Sequence, residues 1–508
     1  MPSHTNLAYV NEDDFSRKDN EERFDSSSFV TESSIKHHDI RPTNRSKQRY
    51  FSVAILCFIN LINYMDRFTI AGVLEKVQNF YGIGNTEGGL LQTAFIVSYM
   101  IMAPIFGYLG DRYSRKIIIA VGVTFWSVTT LLGSFIPPHL FGVFLFLRAL
   151  VGTGEASYST IAPTIIADLF SKDQRSKMLA IFYFAIPVGS GLGYILGDQI
   201  TSFLGQWQHS LQVTPALGLV SVILTLLYVK DPPRGEAEGG AVLEATSLSA
   251  DMRDLFRTKS FVFSTLGFTS VTFATGALAW FGPKYMELAI KRHVSLGSAP
   301  PKAALVFGVI TCIAGIVGVI IGSSSSQYFR KKNARADPLI CAFGVLTSVP
   351  LAYAGIVAAD YSMPLSWILI FLGEVCLCVN WTIVADMLLY VIIPTRRSMA
   401  EAVQILVSHA LGDASSPYFI GVVSDAVLKS TTADEFLALQ YALYIPMAVL
   451  VVGGLFFFLT ALYIEEDKTK CSLTTHVTEQ NITQAKDPSF PVNNLLIEKK
   501  ELSQITSL

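Results

Sequence analysis

Several ionisable residues lie where a charge is expensive. Asp66 and Arg67 are adjacent, Arg148 and Glu155 are spaced i, i+7, His409 and Asp413 are spaced i, i+4, and Glu374 stands by itself, all within long apolar runs. On the insertion scale a charge at the centre of a membrane helix costs about 2.5–3.5 kcal/mol, so these groups must face one another or a wet cavity. Arg148 and Glu155 share a helix face but lie roughly 10 Å apart along its axis. That is too far for a full-strength pair, and it leaves Glu155 free to titrate. We expect Asp66 and Glu155 to form a protonation pair, with Arg67 and Arg148 anchoring an anionic headgroup through the bidentate fork that suits phosphate. His409 and Asp413 can hydrogen-bond across one helical turn, and histidine is the side chain that ordinarily changes charge near neutral pH. With Glu374 they are the coupling candidates in the second half. The competing reading for each charge is a plain tie between helices.

The elements that carry these groups follow from the hydropathy pattern. Of 508 residues, 51% are hydrophobic and 15% charged, against about 25% charged in soluble domains, which argues against a soluble enzyme. The net charge of -2 comes with no basic patch or zinc-finger spacing, so nucleic acid is not an expected partner. A span needs about 20 apolar residues, and twelve runs qualify. They cover 51–74, 86–110, 116–136, 140–169, 176–203 and 210–229, then 260–289, 303–329, 338–358, 364–393, 398–427 and 438–464. The expected architecture is an all-α membrane protein of twelve transmembrane helices in two six-helix, pseudo-symmetric bundles. The bundles occupy 49–229 and 260–465, a cytosolic linker 230–259, and disordered cytosolic tails 1–48 and 466–508. The polar N-terminal stretch has no apolar core of a signal peptide, so the first span is expected to act as the insertion signal. Five of the six cysteines fall in spans and the sixth in the C-terminal tail. No disulfide, metal or cofactor is expected.

Orientation follows from Lys and Arg in the short loops. Arg45, Lys47, Arg49, Arg112, Arg115, Lys116, Lys172, Arg175 and Lys177 fall on one side, as do Arg330, Lys331, Lys332, Arg335, Arg396 and Arg397. Both termini are therefore expected in the cytosol. The halves also repeat. Gly107–Lys116 follows the second span, and Gly322–Phe329 with Arg330 follows the eighth. Asp168 with Arg175 follows the fourth, and Asp386 with Arg396 and Arg397 the tenth. This is the pattern of a parallel duplication. The glycine-rich run Ile186–Tyr194 has no preceding strand, so close helix packing and a bend at Pro187 are expected rather than nucleotide binding. Asn481-Ile-Thr483 is a sequon in a tail expected to be cytosolic, so no glycan is expected.

Gly107-Tyr-Leu-Gly-Asp-Arg-Tyr-Ser-Arg-Lys116 resembles the G-x-L-x-D-R-x-x-R-K loop of the major facilitator superfamily. The resemblance implies a cytosolic gate latched by Gly107, Asp111, Arg112 and Arg115 when the carrier faces outward. Asn63-Tyr-Met-Asp66-Arg67, Gly152-Thr-Gly-Glu155 through Pro163, Ile181 through Tyr194, Ser408-His-Ala-Leu-Gly-Asp413 and Ser416-Pro-Tyr418 are very similar to the Spinster family of lipid transporters, from about Arg49 to Asp467. That resemblance implies a proton-linked or facilitated carrier of sphingosine 1-phosphate-like or lysophosphatidylcholine-like lipids, in the plasma membrane or a lysosomal or late endosomal membrane. It also implies that Asp66, Arg67, Arg148 and Glu155 surround the cavity. Asp231 through Glu236 and Thr460 through Glu465 look most like the third vertebrate paralogue. A monomer is expected, with the headgroup against the first half and the tail along the apolar second half. The alternatives are a carrier of a non-lipid organic anion or sugar, or a non-transporting sensor. A lipid enzyme is disfavoured, because His409 has no evident Ser or Cys partner.

Overall fold

The computed structural model describes residues 44–170, 172–232, 248–293, 302–393 and 396–485. The chain divides after Arg45, and the larger unit runs from Ser46 onward. Eleven helices among the described residues are long and apolar enough to cross a membrane. In the first half the spans are Asn44–Gly72, Asn85–Arg112, Arg115–Gly133, Phe141–Ser159 continued by Ala162–Leu169, Lys172–Leu204 and Ser210–Tyr228. In the second they are Lys259–His293, Ala303–Phe329, Ala336–Ala358, Met363–Cys378 continued by Asn380–Val391, and Glu435–Ala442 continued by Tyr444–Ala485. The remaining span, the eleventh, is not one helix. It consists of Arg397–Ser408 and Ser416–Ser430, joined by a π-turn His409–Asp413 in which Gly412 leaves helical geometry at φ -96°, ψ -106°.

The break has a packing cause. A Cβ on Gly412 would lie 2.1 Å from Oγ1 of Thr272 on the seventh span, so only glycine lets the two backbones approach. The Thr272 hydroxyl donates to the Ser408 carbonyl at 3.0 Å. A backbone group freed by a break must find such a partner inside a membrane protein. The last span runs as helix to Ala485, into the stretch expected as a tail, while 486–508 lie outside the described residues. The expected linker contains a helix, Leu248–Arg257, and 233–247 are likewise not described.

Equivalent loops of the two halves do equivalent work. Buried Arg115 binds Asp168 at 2.6 Å and Asp231, just after the sixth span, at 3.0 Å. Arg330 binds Asp386 at 3.2 Å and Asp337 at 2.8 Å, and Arg335 binds Glu465 of the last span at 2.6 Å. Basic side chains after the second and eighth spans thus clasp acids near the tail-face ends of the fourth and tenth.

The halves meet along two helix pairs. The fifth and eighth spans touch through Gly191 and Gly308, where a Cβ on either would stand 2.4 Å from the other's carbonyl oxygen, and through Gly315 under the Pro187 ring. The second and eleventh touch through Gly89 and Gly421. We call the face where the first span begins the tail face, and the opposite one the far face. Among the described residues, hydrogen bonds that join the halves at mid-span or toward the far face include Thr93 to the Ala414 carbonyl, Tyr194 to that of Ala279, and Trp280 to that of Gly88. These bonds close the bundle at the far face. Near the tail face a Cβ on Gly107 would meet open space.

Small residues at such crossings allow the close approach on which helix association in membranes depends. Gly308→Val is therefore expected to destabilise the protein by about 1–3 kcal/mol, the usual scale of overpacking. A thermal melt of purified protein unchanged from wild type would contradict this packing.

Candidate functional site

Asp66 and Arg67 are neighbours on the first span and face different surroundings. Asp66 is 1% exposed and enclosed by donors from the first half alone. Thr214 donates to Oδ1 at 2.5 Å, and Trp126 Nε1, Thr130 and Arg148 donate to Oδ2 at 3.1, 3.4 and 3.4 Å. Arg148 also donates to the Arg67 carbonyl at 3.2 Å and lies over the Phe95 ring. A carboxylate satisfied on both oxygens and paired with a 3%-exposed guanidinium ties the first, third, fourth and sixth spans together.

Arg67 points the other way, to the second half. Its guanidinium donates to Asp413 Oδ2 at 3.1 Å, and His409 Nδ1 lies 2.8 Å from the other Asp413 oxygen. The π-turn carries both His409 and Asp413, and such turns often mark functional positions in helices. Around Arg67 lies an aromatic bed: Phe95, Phe68 and Tyr64 centroids at 5.2, 5.8 and 5.9 Å. Tyr99 meets the His409 ring edge-on at 6.0 Å. Across mid-membrane the halves are thus joined by an ion pair set in aromatic surroundings.

Glu155 is buried near Arg67, Arg148 and Asn63, yet among the described residues it closes no salt bridge with either guanidinium. Asp66 and Asp413 are each committed to an arginine, and Glu155 is not. Glu374 lies elsewhere, on the tenth span beside Thr311 of the eighth, and its Oε2 is buried without a hydrogen-bond partner. The structure therefore gathers Asp66, Arg67, Arg148, Glu155, His409 and Asp413, and leaves Glu374 outside that cluster.

Of the gate residues, Arg115 is bound within its own half, and Arg112 stacks over Tyr108 at 3.8 Å. A Cβ on Gly107 would meet nothing within 4 Å, and Asp111 lies in the last turn of the second span. Sequence reasoning missed Lys284. It is 3% exposed and donates to Gln78, Asn85 and Glu435 at 2.5, 2.6 and 2.6 Å. Its position inside the expected span 260–289, seven residues before Lys291, was the available signal.

The Major Facilitator Superfamily pattern matches residues 56–417. Protein spinster homolog 1 of Xenopus laevis is 52% identical over 439 residues, covering 84% of this chain and 83% of the relative. The chain belongs to the Spinster family of that superfamily. Within the family, protein spinster of Drosophila melanogaster is 50% identical over 480 residues (84% of this chain, 79% of the relative), and protein spinster homolog 3 of Danio rerio 48% over 443 (85% and 89%). These values do not single out the third paralogue. Among solved structures, a bacterial homolog to human lysosomal transporter Spinster, in an inward-facing and unoccupied conformation, superimposes with a TM-score of 0.69. It is 19% identical and covers 83% of this chain and 98% of its own. A D-xylose-proton symporter gives a TM-score of 0.61 at 14% identity, covering 80% and 97%. These likenesses show the fold. Spinster membership makes the chain a multi-pass secondary transporter rather than an enzyme.

The two first-half carboxylates are expected to respond differently to substitution. Removing one member of a buried pair strands its partner's charge, at a cost of about 3–5 kcal/mol. Asp66→Ala should therefore lower the melting temperature sharply, while Glu155→Gln should leave it near wild type. Equal melting temperatures for the two variants would contradict the roles drawn from the geometry.

Proposed function

We propose that this chain moves sphingolipids or lysophospholipids across a membrane by alternating access, linked to protons, with the tail face and both termini in the cytosol. The observation that carries this reading is the Arg67–Asp413 pair between the halves on its bed of Phe95, Phe68 and Tyr64. A phosphate headgroup approaching Arg67 competes with Asp413 for the guanidinium, so binding weakens a bond that joins the halves. The aromatic rings accept the first carbons of an acyl or sphingoid chain. Substrate binding is thereby coupled to rocking.

The uncommitted carboxyl of Glu155 is the proton site in this scheme. His409 holds Asp413 when Arg67 is engaged by substrate. Asp66, expected to share a protonation pair with Glu155, serves in this scheme as the positioning group for Arg148. The Lys and Arg distribution supports the cytosolic tails, and the family name supports the lipid class only through the sequence resemblance. The tail lies along the second half in this scheme.

Counterflow of labelled lysophosphatidylcholine and sphingosine 1-phosphate in proteoliposomes tests the substrate. Wild type is expected to exchange at least one of them, and Arg67→Ala to lose about tenfold or more, the scale of a lost charge-assisted contact. Exchange of sugars or small organic anions that neither lipid inhibits would overturn the lipid assignment. For the proton role, Glu155→Gln should flatten the dependence of transport on an imposed pH gradient. A gradient response identical to wild type would remove Glu155 from coupling.

A further inference from the structure

At the far face the second span begins without a side-chain cap of its own. Its N-cap position is Gly84, extended at φ -83°, ψ -172°, where Ser, Thr, Asp or Asn ordinarily supplies an oxygen to the first free N–H groups. Glu87 of the same helix accepts from the Gly84 N–H at 3.1 Å, but the oxygens for the next two N–H groups come from the other half. Asp425 of the eleventh span accepts from the backbone N–H of Asn85 at 3.0 Å and of Thr86 at 2.7 Å, and from the Thr86 hydroxyl at 2.6 Å. Glycine admits this carboxylate, since a Cβ on Gly84 would stand 2.8 Å from Asp425 Oδ2. The helix dipole and the ionised acceptor both strengthen the contact.

Asn85 completes the join. Its side-chain N–H donates to Ser424 at 3.0 Å, and its amide oxygen accepts from buried Lys284. Lys284 donates at the same time to Gln78 of the first half and to Glu435 of its own. If the far face opens, Lys284 keeps Glu435, whereas Asp425 loses every one of these partners.

We propose that Asp425 is a positioning residue for transport, a latch that holds the far gate shut by capping the second span from the opposite half, and that must let go before the far face can open. The second and eleventh spans run antiparallel, so each begins near the other's end. Asp111, in the last turn of the second span, occupies the corresponding place at the tail face, where the eleventh span begins at Arg397. One helix pair then carries an acid in the sequence near each end, and at the far face that acid caps the start of the other helix. The latch rests on alternating access and not on the identity of the lipid.

The test uses spin labels on the full chain in proteoliposomes, with the native cysteines replaced. One pair, at Leu204→Cys and Ser430→Cys, reports the far face, and another, at Lys177→Cys and Lys331→Cys, the tail face; all four positions are exposed. Asp425→Ala is expected to raise the far-open fraction about tenfold, the order of one lost charge-assisted cap. The far-face distance should lengthen as the tail-face distance shortens, and Asp425→Glu should restore much of the wild-type distribution. A folded Asp425→Ala protein with both distributions unchanged would overturn the latch. Should that variant fail to fold, Thr86→Val removes one bond of the three and should shift the populations the same way by less, and no shift would again overturn it. A shift in distances without lysolipid exchange by wild type would sink the substrate assignment and leave the latch standing.

Discussion

An ion pair between two half-molecules at the middle of a membrane is the constraint on which this structure turns. Arg67 and Asp413 each need a counter-charge because neither can reach bulk water cheaply, and each finds it in the other half. A bond of this kind is strong while dry and weak once an anion or water intrudes. It is thus suited to a machine that must be held together and then released. Asp66 and Arg148 show the contrasting use of the same chemistry. Their pair lies within one bundle, fully enclosed, and holds four spans in a rigid body.

The surrounding packing makes the same division. Glycines bring the fifth span against the first through Gly189 and Gly193, and against the eighth through Gly191. The first contact is inside a bundle and the second crosses between bundles. The Arg115 and Arg330 hubs fasten the tail-face ends of each bundle within itself. Among the described residues, polar bonds between the halves stand at mid-span and the far face. Rigid halves joined by a few polar contacts are what rocking requires.

Much of the site was legible from sequence because charge in an apolar run is costly and so is rarely idle. Asp66, Arg67, Arg148, Glu155, His409 and Asp413 all stand out on that ground from sequence alone. Their partners do not. Arg67 and Asp413 are 346 positions apart, and spacing cannot reveal that Trp126, Thr130 and Thr214 converge on Asp66. The helices were legible for the same reason, with one failure of kind. The eleventh span reads as a continuous apolar run, and nothing in its periodicity reports the π-turn that Gly412 and Thr272 impose. Asp425 and Lys284 escaped notice because they stand near span ends, where a charge ordinarily reaches water.

Exchanging the charges of the central pair tests the account most directly. Arg67→Asp and Asp413→Arg should each abolish substrate exchange, and the double variant should recover a measurable part of it, because the bond between halves is restored with its sign reversed. Single variants that transport as well as wild type, or a double variant no better than the worse single, would contradict the claim that this pair couples the two halves.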